Sequence, residues 1–128
     1  MKIKAYFAVL IGVITWMMGG WDMALQALAI VILLDIISGV TRAIVEGKLN
    51  SGISFNGGAR KIGIFIAVAL ANILESMLGL GPLREIVITY YIWNECISIC
   101  ENLGSFMPLP EIFKRTLQKL GGEPDGMR

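Results

Sequence analysis

Acidic side chains lie inside stretches of this sequence that are otherwise as apolar as membrane-spanning helices. Asp35 falls in VILLDIISGVTRAIV (31–45), Glu75 in the next apolar stretch and Glu95 in the last one. A charged side chain in a bilayer costs at least about 2.5–3.5 kcal/mol, so each acid needs a partner, a water-filled cavity or a place near the interface. Two interpretations stay open. Either packing within one bundle satisfies the acids, or they line and gate an aqueous path that forms when subunits assemble.

The sequence offers few groups for catalysis. It contains no histidine, the commonest general base and metal ligand. Cys96 and Cys100 share a helical face without a base beside them, and we expect them to be small buried apolar residues. The glycines of FNGGARK (55–61) lack the spacing of a phosphate-binding loop. We therefore predict no enzyme, no metal and no cofactor, and the net charge of +1 argues against a nucleic-acid partner.

The composition and four apolar stretches predict helices that cross a membrane. Of 128 residues, 55% are hydrophobic and only 16% are charged. Each stretch approaches the roughly 20 residues that a spanning helix needs. The fold class is an all-α membrane protein with a bundle of four transmembrane helices in residues 1–107, or three if the first stretch lies on the surface. The predicted spans cover about 5–21, 24–45, 62–80 and 83–103.

The connections fit this layout. Tight turns are expected at GGWD (19–22) and GLGPLRE (79–85), because glycine and proline end helices there. The middle connection, EGKLNSGISFNGG (46–58), carries turn signals and is predicted to be a longer loop. Residues 108–128 form a basic tail in which EIFKRTLQKL (111–120) predicts a short amphipathic helix.

The basic residues predict the orientation. With four spans, every Lys and Arg except Arg84 falls on the side that holds both termini. Basic residues near span ends stay in the cytoplasm, so both termini are predicted to be cytoplasmic. The tail helix either contacts the anionic inner leaflet or is simply solvated. The residues assigned to topology and lipid contact are Arg42, Arg60, Lys61, Lys114, Arg115 and Lys119.

Small residues in the third span recur every four positions, a spacing that lets membrane helices approach closely. Glu75 shares this predicted packing seam, so it should face protein. The seam comprises Gly63, Ala67, Ala71 and Gly79, with a shorter counterpart in Gly39 and Ala43. The candidates for pore lining or assembly are Asp35, Asn72, Glu75, Asn94 and Glu95.

Arg42 lies about 10 Å along the helix axis from Asp35, too far for a tight ion pair. Glu46, four residues after Arg42, is the better partner. Asp35 therefore still needs a partner from elsewhere.

Two long segments resemble the phage holin family that includes the toxin-secretion holins of clostridia. They are LLDIISGVTRAIVEGKLNSGISFNGGARKIGIFIAVALANILE (33–75) and YYIWNECISICENLGSFMPLPEIFKRTLQKL (90–120). The shared pattern is an Asp and a Gly in one span, a basic loop ending in Lys, an Asn-Glu pair, and a lysine-rich tail containing Pro. Asp35, Gly39, Asn94 and Glu95 match recurring positions of the family.

The resemblance implies a small protein of a bacterial cytoplasmic membrane that forms homo-oligomeric lesions. Through these an endolysin or a toxin would escape. The family offers no catalytic residues to transfer. A small proton-coupled multidrug-type transporter is the alternative, but such a protein is expected to carry its membrane acid in the first span, and this first span has none.

Overall fold

The computed structural model describes residues 1–48 and 51–120, apart from the side chains of 51–55, 117 and 120. Every regular element in these ranges is an α-helix. The helices are α1 (Lys2–Met17), α2 (Met23–Glu46), α3 (Ser51–Leu78), α4 (Leu83–Gly104) and α5 (Glu111–Leu120). The predictions for 121–128 and for Leu49 and Asn50 fall outside the described residues.

Local signals fix several helix ends. The carboxylate of Asp22 caps α2 by accepting a hydrogen bond of 3.0 Å from the Leu25 N–H. Gly47 ends α2 in the left-handed conformation, with φ 68°. Gly79 follows α3 with φ 65°, and Pro82 precedes α4. Gly79 and Pro82 lie in the short turn between α3 and α4.

The helix α4 is the centre of the bundle. It packs against α2 most extensively and against α3 on its other side. The starts of α2 and α4 lie together, so these two helices run parallel, with α3 antiparallel to both. The core between them is apolar toward the starts of α2 and α4. Its buried residues are Met18, Leu25, Leu28, Ile32, Ile64, Val68 and Ile88.

The first helix is peripheral. It has no buried residue and touches α3 over a short stretch. Large apolar side chains such as Tyr6, Phe7 and Trp16 are therefore exposed. This outer surface suits lipid or another protein better than water.

The middle connection was predicted wrongly in part. Residues from Ser51 onward are helical, including the Asn56–Gly57–Gly58 turn signal. Each glycine costs about 1 kcal/mol relative to alanine in a helix, but no proline interrupts this segment and helix continues through it. Helix α3 consequently begins well before the predicted third span.

Within the described residues, two helices are long and apolar enough to cross a membrane, Met23–Glu46 and Asn56–Leu78. The first helix has 16 residues, and α4 carries Arg84, Glu85, Glu95 and Glu101. The all-helical prediction is confirmed, and the two apolar helices indicate a membrane protein. The count of four spans stays a prediction.

Candidate functional site

Three helices bring one lysine between two carboxylates inside the bundle. Lys61 of α3 donates from Nζ to Oδ2 of Asp35 on α2, at 2.5 Å. The same Nζ donates to Oε2 of Glu95 on α4, at 2.9 Å. We call Asp35, Lys61 and Glu95 the ion cluster. Its ion pairs connect α3 to both α2 and α4.

The ion cluster is shielded from solvent. The exposed fractions are 6% for Asp35, 9% for Lys61 and 2% for Glu95. In the part of the chain that the structure describes, no buried side-chain nitrogen or oxygen lacks a hydrogen-bond partner. The charges thus meet the condition for burial, which is pairing together with hydrogen bonding.

Neighbouring polar groups hold Asp35 in place. Asn102 of α4 donates from Nδ2 to Asp35 Oδ1 and to Ser38 Oγ, both at 3.1 Å. The Ser38 hydroxyl in turn donates to the Asp35 carbonyl, at 3.0 Å. A Cβ on Gly39 would lie 3.5 Å from Asn102 Nδ2, an ordinary van der Waals distance, so Gly39 borders this network. The polar network therefore extends along the α2–α4 contact beyond the cluster.

Two open grooves flank the ion cluster. The groove between α3 and α4 has a volume of about 640 Å³ and is lined in part by Asn94, Glu95 and Ser98. The groove between α2 and α3 has a volume of about 710 Å³ and reaches Asp35 and Lys61. Arg60 and Ser98 line both grooves. A movement of α3 away from α2 and α4 would therefore expose the charges.

The structure brings two of the predicted acids together and leaves the third apart. Asp35 and Glu95 share Lys61, whereas Glu75 is half-buried near the α3–α4 turn, where its Oε1 would lie 3.5 Å from a Cβ on Gly81. Asn72 donates to the Met17 carbonyl at 3.0 Å. Asn94 is exposed. Their roles in pore lining or assembly stay predictions.

The predicted seam of small residues is not the face that packs in this chain. Ala71 is buried, Ala67 is half-buried, and Gly63 is exposed with nothing within 4 Å of an added Cβ. Gly79 lies beyond the end of α3. On α2, Gly39 and Ala43 line the α2–α3 groove. Packing of the seam between copies of the chain stays a prediction.

The basic residues divide into two groups. Lys61 differs from its predicted place in an exposed rim, because its ammonium is drawn between two buried carboxylates. The predicted pairing of Arg42 with Glu46 is confirmed, with 3.3 Å between Nε and Oε1. The remaining basic residues assigned to topology and lipid contact are exposed: Arg60, Lys114, Arg115 and Lys119.

A second charged site, at the α1–α2 turn, was missed from the sequence. The buried Arg84 side chain donates to the carbonyls of Met18, at 2.5 Å, and Gly20, at 3.2 Å. It also makes a two-pronged contact with the Asp22 carboxylate, at 2.8 and 3.1 Å. The signal available was a lone arginine at the start of one helix and a lone aspartate at the start of another. This site ties α4 to the turn that carries α1.

Replacing Arg84 by methionine should lower the free energy of unfolding by about 2–4 kcal/mol, because buried carbonyls of the turn lose their donor. Asp22→Asn should cost under about 1 kcal/mol, since that carboxylate is half-exposed and Asn still caps α2. Chemical denaturation of purified protein compares the two variants. Equal losses of unfolding free energy in the two variants would show that Arg84 stabilises the fold through its ion pair with Asp22 and not through the backbone carbonyls.

The same pair predicts a dependence on pH. The hydrogen bond from Arg84 lowers the pKa of Asp22 below its ordinary 3.8. A carboxylate with a lowered pKa stabilises the fold fully above its unfolded value and loses this effect as the pH falls through the folded one. The difference in unfolding free energy between wild type and Asp22→Asn should therefore shrink below about pH 3.8. A difference that grows on acidification would contradict the pairing.

Two adjacent glycines in this turn form a matched pair for testing the Arg84 site. Gly19 (φ 93°) and Gly20 (φ 102°) both have a backbone conformation that disfavours side chains. A Cβ on Gly19 would collide with Arg84 and lie 2.8 Å from Asn72 Oδ1, whereas one on Gly20 meets nothing within 4 Å. Gly20→Ala should cost about 1–2 kcal/mol and Gly19→Ala at least 1 kcal/mol more. Equal melting temperatures for the two variants would contradict this placement of Arg84.

Comparison with known proteins supplies the family. A family model described as the bacteriophage holin family matches residues 12–122, which include the end of α1 and all of α2 to α5. The chain belongs to the bacteriophage holin family. The resemblance found in the sequence is thereby confirmed, and membership of a holin family points to a pore-forming protein rather than an enzyme.

Several relatives of this holin-family chain are similar over most of their length. An uncharacterised protein of Clostridium perfringens strain 13 is 33% identical over 112 residues, which is 85% of this chain and 83% of the relative. An uncharacterised protein of Halalkalibacterium halodurans is 33% identical over 123 residues, or 91% of each chain. A protein of Bacillus phage phi105 named a probable holin is 30% identical over 103 residues, 79% of this chain and 76% of its own. No solved structure matches at a significant level.

Proposed function

We propose that this holin-family protein assembles in the bacterial cytoplasmic membrane into homo-oligomeric lesions through which an endolysin or a secreted toxin leaves the cell. The observation that carries the proposal is the family match over residues 12–122. The matched region contains the complete ion cluster and the two helices that, among the described residues, are long and apolar enough to span a membrane. The match also favours this function over a proton-coupled transporter.

The structure supports the first half of the mechanism, in which a single chain is harmless. The charges of Asp35, Lys61 and Glu95 face one another inside the bundle, while the outer surfaces of α1, α2 and α3 expose large apolar side chains. Such an arrangement keeps these three charges away from lipid. A dispersed, closed form is therefore compatible with the geometry.

The second half of the mechanism is a rearrangement in which the polar faces turn to water. Helices that separate from one another need new partners for their polar stripes, and a water-filled lesion supplies them. In the assembly, Asp35, Glu95 and Lys61 would line the aqueous path, and Glu75 would join them from the other end of α3. The seam residues Gly63 and Ala67, free of neighbours or half-buried in one chain, would then pack between copies.

The proposed orientation places both termini in the cytoplasm. The ends of α2 and α3 that carry Arg42 and Arg60, together with the basic α5, would lie at the anionic inner leaflet. The opposite end would hold the Arg84–Asp22 site. Residues 1–107 form the membrane domain in this proposal, and 108–128 the cytoplasmic tail.

Controlled expression tests the proposed function. Cells that make the chain together with a folded cell-wall hydrolase should grow normally, then lose membrane potential abruptly and release the enzyme. An uninduced culture of the same strain is the control. A transporter would instead leave the potential intact and change only drug resistance, and a gradual leak without release of folded protein would also contradict lesion formation.

A further inference from the structure

The groove between α2 and α3 is amphipathic along its length. One wall comprises Ile36, Val40 and Ala43, on the face of α2 that follows Asp35. On the α3 side the groove is lined by the polar Arg60 and by two glycines, Gly57 and Gly58, which have no side chains. The groove is open and has a volume of about 710 Å³, enough for a headgroup and part of an extended chain.

Charged side chains of both signs line this groove. Four are basic and two are acidic: Arg42, Lys48, Arg60, Lys61, Asp35 and Glu46. The Arg42–Glu46 pair is neutral, and Lys61 is held between Asp35 and Glu95, so the acids of the groove are already engaged. The positive charge offered to an anion is therefore that of Arg60.

Arg60 is the residue best placed to receive an anion. Among the described residues it has no hydrogen bond and no ion pair, and its side chain borders both grooves beside the ion cluster. No atom lies within 4 Å of a Cβ built on Gly57 or Gly58, one helical turn before it. A bulky anionic group therefore has space next to the guanidinium, which binds phosphate oxygens with two parallel hydrogen bonds.

We propose that the α2–α3 groove is a binding site for an anionic phospholipid, with the phosphate at Arg60 and an acyl chain along Ile36, Val40 and Ala43. A free phosphate would use the polar end only, whereas the adjoining apolar wall fits a molecule that has both parts. Basic pockets between membrane helices bind anionic lipid headgroups elsewhere in membrane proteins. The bound lipid would hold α2 and α3 together beside the ion cluster.

Lipid retention by purified protein tests the proposal without reference to lesion formation. The full chain, extracted in mild detergent and offered equal amounts of phosphatidylglycerol and phosphatidylcholine, should retain phosphatidylglycerol preferentially in native mass spectrometry. Arg60→Gln should reduce this retention about fivefold. Lys4→Gln is the matched control, because it removes an equal charge from an exposed residue outside the groove, and its retention should equal that of wild type.

A second variant and a second ligand separate the contributions. Ala43→Phe fills the apolar wall without changing charge and should also reduce phosphatidylglycerol retention, while glycerol phosphate should fail to displace the lipid at equal concentration. Full displacement by glycerol phosphate would show that a free anion site is present instead. Equal retention of both lipids, or equal losses in Arg60→Gln and Lys4→Gln, would overturn the proposal. If cells never release hydrolase yet the lipid preference persists, the proposed function fails and this site stands.

Discussion

Replacing Lys61 by methionine is expected to lower the free energy of unfolding by about 3–5 kcal/mol. Methionine matches the length of lysine but removes the ammonium that lies 2.5 Å from Asp35 and 2.9 Å from Glu95. Two carboxylates would then remain buried beside each other without a counter-charge. Denaturation of the purified protein in detergent measures the effect.

The adjacent arginine provides the control for this experiment. Arg60→Met removes the same charge from the preceding position of α3, but its side chain is exposed, so in detergent free of anionic phospholipid the expected change is within about 0.5 kcal/mol. The difference in unfolding free energy between the two variants gives the contribution of the ion cluster, because the general effect of removing a positive charge from α3 is common to both. Equal stabilities of the two variants would mean that Lys61 reaches solvent and that the cluster is not formed.

Neutralising the whole cluster is expected to restore stability and abolish lesion formation. In the triple variant Asp35→Asn, Lys61→Met, Glu95→Gln, no charge is left unpaired, and replacing a buried ion triad by neutral groups of similar size is often neutral or stabilising. The closed form should therefore fold and accumulate as in wild type. Because the polar stripe then carries no charge to favour water, we expect no collapse of membrane potential and no release of hydrolase.

A triple variant outside the cluster controls for net charge. Glu85→Gln, Glu111→Gln and Lys4→Met remove the same number of acids and bases from exposed positions, and lysis should keep its normal timing. The comparison separates the ion cluster from any effect of total charge on insertion. Normal lysis by the neutral cluster variant would mean that these charges serve packing alone.

These two predictions distinguish the interpretations that the sequence left open. A cluster that only satisfies packing should be dispensable once all three members are replaced together. A cluster retained for opening should be dispensable for folding and necessary for lysis. The structure identifies the third member of the cluster, Lys61, and two polar neighbours of Asp35, Ser38 and Asn102.

Local features of the fold could be predicted from the sequence. The limits of the second and fourth apolar stretches, 24–45 and 83–103, agree closely with those of the helices Met23–Glu46 and Leu83–Gly104. The Arg42–Glu46 pair was also predictable. Each of these depends on residues within one or two helical turns, where spacing alone determines which side chains meet.

The partner of Asp35 could not be found in this way, because it lies 26 residues further along the chain and Glu95 lies 34 beyond Lys61. Lys61 follows an arginine, and the pair looked like part of a basic loop. The helix in fact begins at Ser51, so Lys61 sits on its third turn, inside the bundle. Lys61 lies on the same helical face as the buried residues Ile64 and Val68. That spacing could have indicated its burial if the segment had been interpreted as helix.

The predicted seam in α3 differs from the buried face of this chain for a geometric reason. Four residues turn a helix by about 400°, so each step drifts by some 40° and Gly63 and Gly79 no longer share a face. Positions that do remain on one face alternate steps of three and four. The buried residues of α3 follow that rule: Lys61, Ile64, Val68 and Ala71.

In the proposed mechanism, the charged face is dry in the dispersed chain and exposed to water in the lesion. Ser38 reports on that face, because it lies beside Asp35 and is only 6% exposed. Ile37, the next residue, is 52% exposed on the outer surface of α2. Cys96 and Cys100, both half-buried free thiols, are first replaced by serine so that an introduced cysteine is the only one.

The most direct measurement is labelling of Ser38→Cys by a charged, membrane-impermeant thiol reagent before and after membrane potential collapses. We expect no labelling before the collapse and rapid labelling after it, while Ile37→Cys, facing lipid, stays unlabelled throughout. Protection of Ser38→Cys after lesions have opened would contradict the central claim, as would labelling at the same rate in both states.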